Sequence, residues 1–180
     1  MKLESLLIFI IFAVSQISSM EISCEETEYS TFSKHNKIIT KFHTVSAARI
    51  IQSKKVRVLL KKLIDVQNNI DCLKMYIGQL ADMYDNVWKC HYDNLQHTQI
   101  LKMKTIEEVV QNIIELCRVC QNVSRDINCF QINVVPELQK FELDLEDMEQ
   151  NLNTYENETS SCLNEIHLTA SRLVTECFMV

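Results

Sequence analysis

Apolar residues recur at alternating spacings of four and three positions near the end of the chain. The clearest run is Val134, Leu138, Phe141, Leu145, Met148, Leu152 and Tyr155, with acidic residues at six of the fifteen positions between them. This spacing puts the apolar side chains on one stripe of a helix, as in a coiled-coil seam. Pro136 suits the first turn of a helix, where no backbone N–H is needed. The pattern predicts a long amphipathic helix over residues 136–156.

The same spacing recurs in other segments. It is found at Val56, Leu60, Leu63, Ile70, Leu73, Ile77, Leu80, Tyr84 and Val87, then at Ile106, Val110, Ile113, Cys117 and Cys120, and finally at Cys162, Ile166, Ala170, Leu173 and Cys177. The predicted fold is all-α, an up-and-down bundle of about four long helices cross-linked by disulfides. We place the helices at residues 45–96, 105–122, 136–156 and 160–177.

Polar segments set the predicted helix ends. Turns are expected at residues 97–105, 123–133 and 157–161, and Gln67-Asn68-Asn69 is expected to interrupt the first helix. Residues 20–44 show no sustained period, so we predict a loosely ordered segment there and a helical domain at residues 45–180. A single Gly and a single Pro also favour helices, because sheet proteins need both residues at their turns.

Residues 1–19 have the pattern of a secretory signal peptide. A charged start precedes the apolar run from Leu6 to Val14, and small and polar residues follow it. The run is far shorter than the ~20 residues that cross a bilayer as a helix, and no later segment comes close to that length. Cleavage is expected between Ser15 and Met20. The protein is therefore predicted to be secreted and extracellular, without a membrane span.

Charge is unevenly distributed around a net value of −6. Residues 20–104 contain 13 Lys/Arg against 9 Asp/Glu, and residues 105–180 contain 4 against 14. Attraction between antiparallel helices of opposite charge is the expected consequence. A basic cluster is a candidate contact for an anionic surface; its members are Lys54, Lys55, Arg57, Lys61 and Lys62. Because it lacks interleaved aromatic residues, we expect no nucleic-acid partner.

Eight cysteines follow the signal peptide: Cys24, Cys72, Cys90, Cys117, Cys120, Cys129, Cys162 and Cys177. An even number of cysteines in a secreted chain predicts disulfide bonds. Cys117-Arg-Val-Cys120 has the spacing of redox and zinc motifs, but no strand precedes it and no second ligand pair lies at close spacing. We therefore predict disulfides at all eight positions, and no metal or cofactor.

Alternating helix directions suggest which cysteines meet. They put Cys90 and Cys162 toward one end of the bundle, and the cysteines at 72, 117, 120, 129 and 177 near the other. The hypothesis is a bridge between Cys90 and Cys162, with a cross-linked cluster at the opposite end. In the alternative, a bridge between Cys90 and Cys117 closes the first helical hairpin.

The order of the cysteines and their aromatic neighbours resembles an insect secreted family. The matching residues are Cys72-Leu73-Lys74-Met75-Tyr76, Tyr84, Cys90, the close pair Cys117 and Cys120, Cys129-Phe130, Cys162 and Cys177. Over residues 72–177 the chain resembles the TsetseEP-domain family, named for the tsetse midgut EP protein. The resemblance implies an extracellular, helical, cysteine-framed domain of no known activity. The spacing of Cys117 and Cys120 and the basic N-terminal segment depart from the family pattern.

Insect odorant-binding proteins offer a lesser resemblance. It consists of the eight residues between Cys120 and Cys129. The middle cysteine pair of that family, with three intervening residues, is missing from this chain.

Two sequons predict N-glycosylation, at Asn122 and Asn157, both in predicted breaks between helices. No catalytic residue is predicted. The histidines His35, His43, His91, His97 and His167 show no spacing that places two of them on one helix face with an acid. A Cys90–His91 nucleophile is disfavoured because Cys90 is expected to be oxidised. The acid pairs Glu107/Glu108 and Glu146/Asp147 are expected on solvated faces.

The aromatic residues Tyr76, Tyr84 and Trp88 lie along one predicted helix, where they either fill the bundle core or line a ligand pocket. The resulting functional prediction is a secreted, non-enzymatic interaction protein. It would act on an extracellular protein or a microbial surface in gut, gland or reproductive fluid. The alternative is a carrier of a small hydrophobic ligand in the bundle interior.

Overall fold

The computed structural model describes residues 24–92, 96–123 and 127–178. Its four long helices are α1 at Cys24–Val66, α2 at Ile77–Tyr92, α3 at Gln96–Val123 and α4 at Val135–Phe178. Shorter helical segments lie between them, namely Gln67–Asn69, Asp71–Lys74, Ile127–Cys129 and a π-helical turn at Phe130–Val134. No strand occurs within the described ranges. The predicted all-α bundle with disulfide cross-links is confirmed.

α1 and α4 lie side by side and run in the same direction. Three ion pairs join them, Lys34–Glu142, Lys41–Glu149 and Arg49–Glu156, with N–O distances of 2.6, 2.7 and 3.5 Å. The partners recur about every seven residues, the repeat at which a helix in a bundle presents the same face. Opposite charges therefore attract between these two helices as expected, but the helices are parallel and not antiparallel.

α2 and α3 form one column that runs opposite to α1. Arg57 contacts Tyr84 of α2, whereas Cys24, much earlier on α1, is bonded to Cys117 of α3. The bundle thus has three columns, of which the first and third are single helices of 43 and 44 residues. At a rise of 1.5 Å per residue each is about 65 Å long. The predicted interruption at Gln67–Asn69 is confirmed, as a 3₁₀ turn followed by extended backbone at Ile70. The chain reverses direction there, so the single helix predicted over residues 45–96 is wrong.

Two of the predicted turns are wrong. Residues 97–105 belong to α3, and residues 157–161 belong to α4, which is continuous from Val135 to Phe178. Each segment has a polar residue in a core position, since Gln99 and Thr159 are both 2% exposed. The helix periodicity passes through these residues, so the chain does not turn there.

The predicted loose segment is also wrong from residue 24 onward, because α1 begins at Cys24. Its core positions include Thr27, Thr31 and His35, all buried. These residues keep the three-four spacing that leads into Ile38 and Val45, but their polarity hides it in the sequence. Residues 1–23, which include the predicted signal peptide, lie outside the described residues.

Two apolar clusters fill the bundle. The first cluster contains Ile113, Phe141 and Met148, and Leu152 is its last member on α4. The second cluster contains Leu60 and Leu80, and Leu163 is its first member on α4. Polar groups lie between the two clusters. They belong to Tyr155 and Thr159 on α4 and to Arg49 and Ser53 on α1, and all four side chains are largely or fully buried. A polar layer thus separates two apolar cores along the length of the bundle.

All eight cysteines are paired. The bridges are Cys24–Cys117, Cys72–Cys177, Cys90–Cys162 and Cys120–Cys129. The bridge between Cys90 and Cys162 matches the leading hypothesis, and the alternative between Cys90 and Cys117 is wrong. The expected cluster at one end is wrong too. Because α3 continues in the direction of α2, Cys117 lies at the opposite end of the bundle from Cys72.

Candidate functional site

The three predicted aromatic residues tie the columns together at the surface. The Arg57 guanidinium lies over the rings of Tyr84 and Trp88, 4.8 and 4.5 Å from their centroids, and Arg57 Nη2 donates a 2.7 Å hydrogen bond to Tyr84 Oη. Tyr76 Oη donates to Glu176 at 3.4 Å. Tyr76 and Tyr84 are half-buried and pack against the apolar cluster of Leu60 and Leu80, whereas Trp88 is 43% exposed, so the expectation that this stripe fills the core is wrong for Trp88 only. Arg57, Tyr84 and Trp88 thus connect α1 to α2, and we call these three residues the aromatic clamp.

The basic cluster on α1 divides into two parts. Arg57 belongs to the aromatic clamp described above. The four lysines, Lys54, Lys55, Lys61 and Lys62, are exposed, and none has an ion-pair partner among residues 24–92, 96–123 and 127–178. By contrast, Lys34, Lys41 and Arg49, which lie earlier on α1, are paired with carboxylates of α4. The four lysines therefore remain available to a partner.

Two exposed aliphatic residues lie among these lysines. Ile51 is 54% exposed and Val58 is 55% exposed. Each is followed by lysines three and four positions later, which gives the repeat Ile51-Gln-Ser-Lys-Lys and Val58-Leu-Leu-Lys-Lys. Residues three and four apart are neighbours on a helix surface, so the repeat builds one continuous face. We call Ile51, Lys54, Lys55, Val58, Lys61 and Lys62 the lysine face.

The lysine face has a shallow open groove of ≈ 350 Å³, lined by Ile51, Lys54, Lys55 and Val58. Sequence reasoning found the lysines but missed the two aliphatic residues. The repeated aliphatic-x-x-Lys-Lys pattern is the signal that identifies them. Exposed apolar residues also occur elsewhere on the helices, for example Leu143 and Leu168 at 65%, so Ile51 and Val58 are distinguished by the lysines that border them in a repeat.

A second groove, of ≈ 260 Å³, lies between the first turns of α1 and of α4. Thr27, Ser30 and Thr31 line one side, Leu138 and Phe141 line the other, and the ion pair of Lys34 with Glu142 lies at its edge. Thr31 is 1% exposed, and its Oγ1 has no hydrogen-bond partner among the described residues. The small hydroxyl residues of α1 leave this space beside the larger side chains of α4.

Both predicted glycosylation sites are exposed asparagines on helices. Asn122 lies in the last turn of α3, and Asn157 lies within α4. In the second sequon Thr159 is buried and forms a hydrogen bond with Tyr155. Burial raises the pKa of the Tyr155 phenol, and this hydrogen bond opposes the rise. The acceptor asparagines point away from the core, and neither is on α1.

The residues considered for catalysis are scattered. His43 and His167 are exposed and His35 is buried, while the side chains of His91 and His97 lie outside the described part of the chain. Glu107, Glu108, Glu146 and Asp147 are exposed. A hydrogen bond from Lys102 lowers the pKa of Asp147, whereas a general acid needs a raised pKa. The Cys117 and Cys120 sulfurs bond to Cys24 and Cys129, so they do not form a redox pair with each other.

Metal-ligand clusters and membrane-spanning helices are both absent from residues 24–92, 96–123 and 127–178. No three His, Cys, Asp or Glu side chains in these ranges converge as metal ligands would. None of the helices there combines the length and the apolarity that spanning a membrane requires.

Comparison of the chain with models of known protein families, with curated proteins and with solved structures finds no match. The resemblance to the tsetse midgut EP family therefore stays a prediction.

Proposed function

We propose that this protein is a secreted, non-enzymatic interaction protein that uses the lysine face of α1 to bind anionic extracellular surfaces, such as those of microbes. The observation that carries the proposal is the set of four exposed lysines without ion-pair partners among the described residues. In a chain of net charge −6, this local excess of positive charge favours an anionic partner.

The extracellular setting is supported by four disulfide bonds, which persist in oxidising compartments and are rare in the cytosol. It is supported further by the signal-peptide pattern of residues 1–19 and by the sequons at Asn122 and Asn157. The resemblance to the tsetse midgut EP family is compatible with an insect protein of gut, gland or reproductive fluid.

An interaction protein accounts for the geometry better than a hydrophobic-ligand carrier does. The carrier hypothesis was based on Tyr76, Tyr84 and Trp88. These residues contact Arg57 or Glu176, and the two tyrosines also pack against the apolar cluster of Leu60 and Leu80. The two apolar clusters are built from tightly buried side chains such as Leu60, Phe141 and Leu163, each at most 1% exposed. A binding face on α1 requires no cavity in either cluster.

The test is co-sedimentation of the secreted, disulfide-bonded protein with intact bacterial and yeast cells. We expect binding that weakens as salt is raised, because exposed charges are screened. The variant Lys54→Gln/Lys61→Gln should lose most of the binding. Its matched control, Lys104→Gln/Lys140→Gln, removes the same charge from exposed lysines on α3 and α4 that have no ion-pair partner among the described residues, and it should bind like the wild type. Equal loss in both variants, or no binding by the wild type, would refute the proposal.

Secretion and glycosylation are tested together by expressing the full chain in insect cells. We expect the protein in the medium with an N-terminus between residues 16 and 21, and a loss of mass on endoglycosidase treatment. Asn157→Gln and Asn122→Gln assign any glycan to its site. Retention of an intact N-terminus in the cells would contradict the extracellular proposal.

A further inference from the structure

We infer that the lysine face docks peripherally and reversibly on membranes that contain anionic phospholipids. This inference rests on the proposed function, since it names the chemistry of the surface that the same residues would bind. It is carried by the arrangement of charge and aliphatic surface on α1, together with what surrounds that face in the bundle.

The lysine face has an aliphatic centre with positive charge on both sides. In a helix, the residues three and four positions after a given residue lie on the next turn, one to each side of it. Lys54 and Lys61 therefore border one side of the line from Ile51 to Val58, and Lys55 and Lys62 border the other. Long lysine side chains in such positions can extend to phosphates while the aliphatic residues between them enter the headgroup region.

The aliphatic centre is too short for a stable protein interface. Seven residues before Ile51 and seven after Val58, the same line is occupied by exposed Thr44 and Asp65, so an apolar seam cannot extend in either direction. Two aliphatic side chains fall well short of the roughly 800 Å² per partner of a typical protein complex. An acidic helix would therefore gain little beyond charge attraction.

A polysaccharide would use the charges but would leave Ile51 and Val58 without an apolar partner. An anionic bilayer uses both features. Its phosphates attract the lysines, and its interfacial region accepts aliphatic side chains. None of the four lysines is paired with a carboxylate among the described residues, so the acidic helix α4 does not neutralise their charge.

The experiment measures partition of the oxidised full-length mature protein onto large vesicles by sedimentation. Two compositions are compared, phosphatidylcholine alone and phosphatidylcholine mixed with phosphatidylglycerol. We expect binding to the anionic vesicles only, and a loss of binding at high salt. Each lysine near an anionic bilayer contributes roughly fivefold to the partition coefficient, so Lys54→Gln/Lys61→Gln should lower it roughly 25-fold. The control Lys104→Gln/Lys140→Gln should change it less than about twofold.

The aliphatic residues are tested by Ile51→Ser/Val58→Ser. Both positions are more than half exposed, so the fold is expected to be retained, and circular dichroism checks this. Insertion of the two side chains predicts a loss of roughly tenfold or more in partition onto anionic vesicles. An unchanged partition coefficient would overturn the inference, as would equal binding to both vesicle types.

The outcomes also separate this inference from the proposed function. If cells bind the wild type through the lysine face but anionic vesicles do not, the lipid inference fails and the proposed function stands. Heparin or an acidic helical peptide that competes for cells in the absence of vesicle binding would then identify the partner class. If neither cells nor vesicles bind, both proposals fail.

Discussion

Thr31 illustrates at the residue scale how polar side chains occupy the core of α1. It is 1% exposed, and its hydroxyl has no hydrogen-bond partner among the described residues. A buried hydroxyl without a partner loses its hydration and gains nothing in return. Ser53 on the same helix is 8% exposed, and its hydroxyl likewise has no hydrogen-bond partner among the described residues. The core of α1 is therefore less stabilising than an aliphatic core of equal length.

Thr31→Val is expected to raise the free energy of unfolding by about 1 kcal/mol, because valine keeps the branched shape and removes the unpartnered hydroxyl. Urea unfolding followed by circular dichroism measures the change. The control is Thr44→Val on the exposed side of the same helix, which should alter stability by less than about 0.5 kcal/mol. A clear loss of stability in Thr31→Val would contradict the assignment.

His35 gives stability a dependence on pH. Burial lowers its pKa below the ordinary value of about 6.5, partly opposed by the charge of Glu107. The unfolded chain therefore takes up a proton more readily than the folded one. The contribution of neutral His35 to the free energy of unfolding is fully present above about pH 6.5 and is lost as the pH falls below that value.

Unfolding free energies at about pH 7.5 and about pH 5.5 test this effect, with a slope of at most about 1.4 kcal/mol per pH unit from one proton. His35→Leu should remove the slope, whereas His167→Leu, at an exposed histidine, should leave it in place. If the two variants have identical pH dependence, His35 is not its source.

At the element scale, the spacing of aliphatic residues predicted the existence of the helices, while polar residues in core positions caused the errors at their ends. Gln99 starts a seam that continues through Met103, Ile106 and Val110, but glutamine does not register as apolar. Thr159 in α4 and His35 in α1 are likewise buried polar residues in core positions, and they do not register as apolar either. Burial of these polar residues depends on the neighbouring helices, which no local pattern reveals.

The continuity of α4 can be tested with proline. Ser161→Pro would remove a main-chain hydrogen bond inside a helix and clash with the preceding turn, so it should cost about 3 kcal/mol or more of stability. Asp71→Pro is the matched control. It lies at the first position of a short helical turn, after Ile70 with φ −129° and ψ 106°, a conformation that suits a residue before proline. Thermal unfolding should show a large effect only for Ser161→Pro, and equal effects would indicate a break at residues 157–161.

At the scale of the whole molecule, the charge, the cysteine content and the Cys90–Cys162 bridge were predictable from the sequence, but the other three pairings were not. The expected contact between the basic and acidic halves is present as the ion pairs of α1 with α4. The direction of α3, however, depends on how the chain passes from α2, and it decides which cysteines meet. The lysines of the candidate site were predicted from the sequence, but Ile51 and Val58 were not. Their exposure depends on which face of α1 the other columns cover.

The two longest disulfide loops overlap, and this has a consequence for proteolysis. Cys24–Cys117 encloses the first part of the described chain and Cys72–Cys177 encloses the rest, so every peptide bond between residues 24 and 177 lies inside at least one loop. After limited digestion with trypsin, a singly nicked protein should migrate as one species without reductant and as two fragments with it. Separation of the fragments without reductant would contradict the pairing.

A protease that cuts after one of the four lysines on α1 would therefore leave both pieces covalently attached, through Cys24–Cys117. The exposed lysines proposed to bind are thus also possible cleavage sites for trypsin-like enzymes. In a protease-rich fluid, the first cleavage would produce a nicked molecule that still carries its whole surface, and only further cuts would release a fragment.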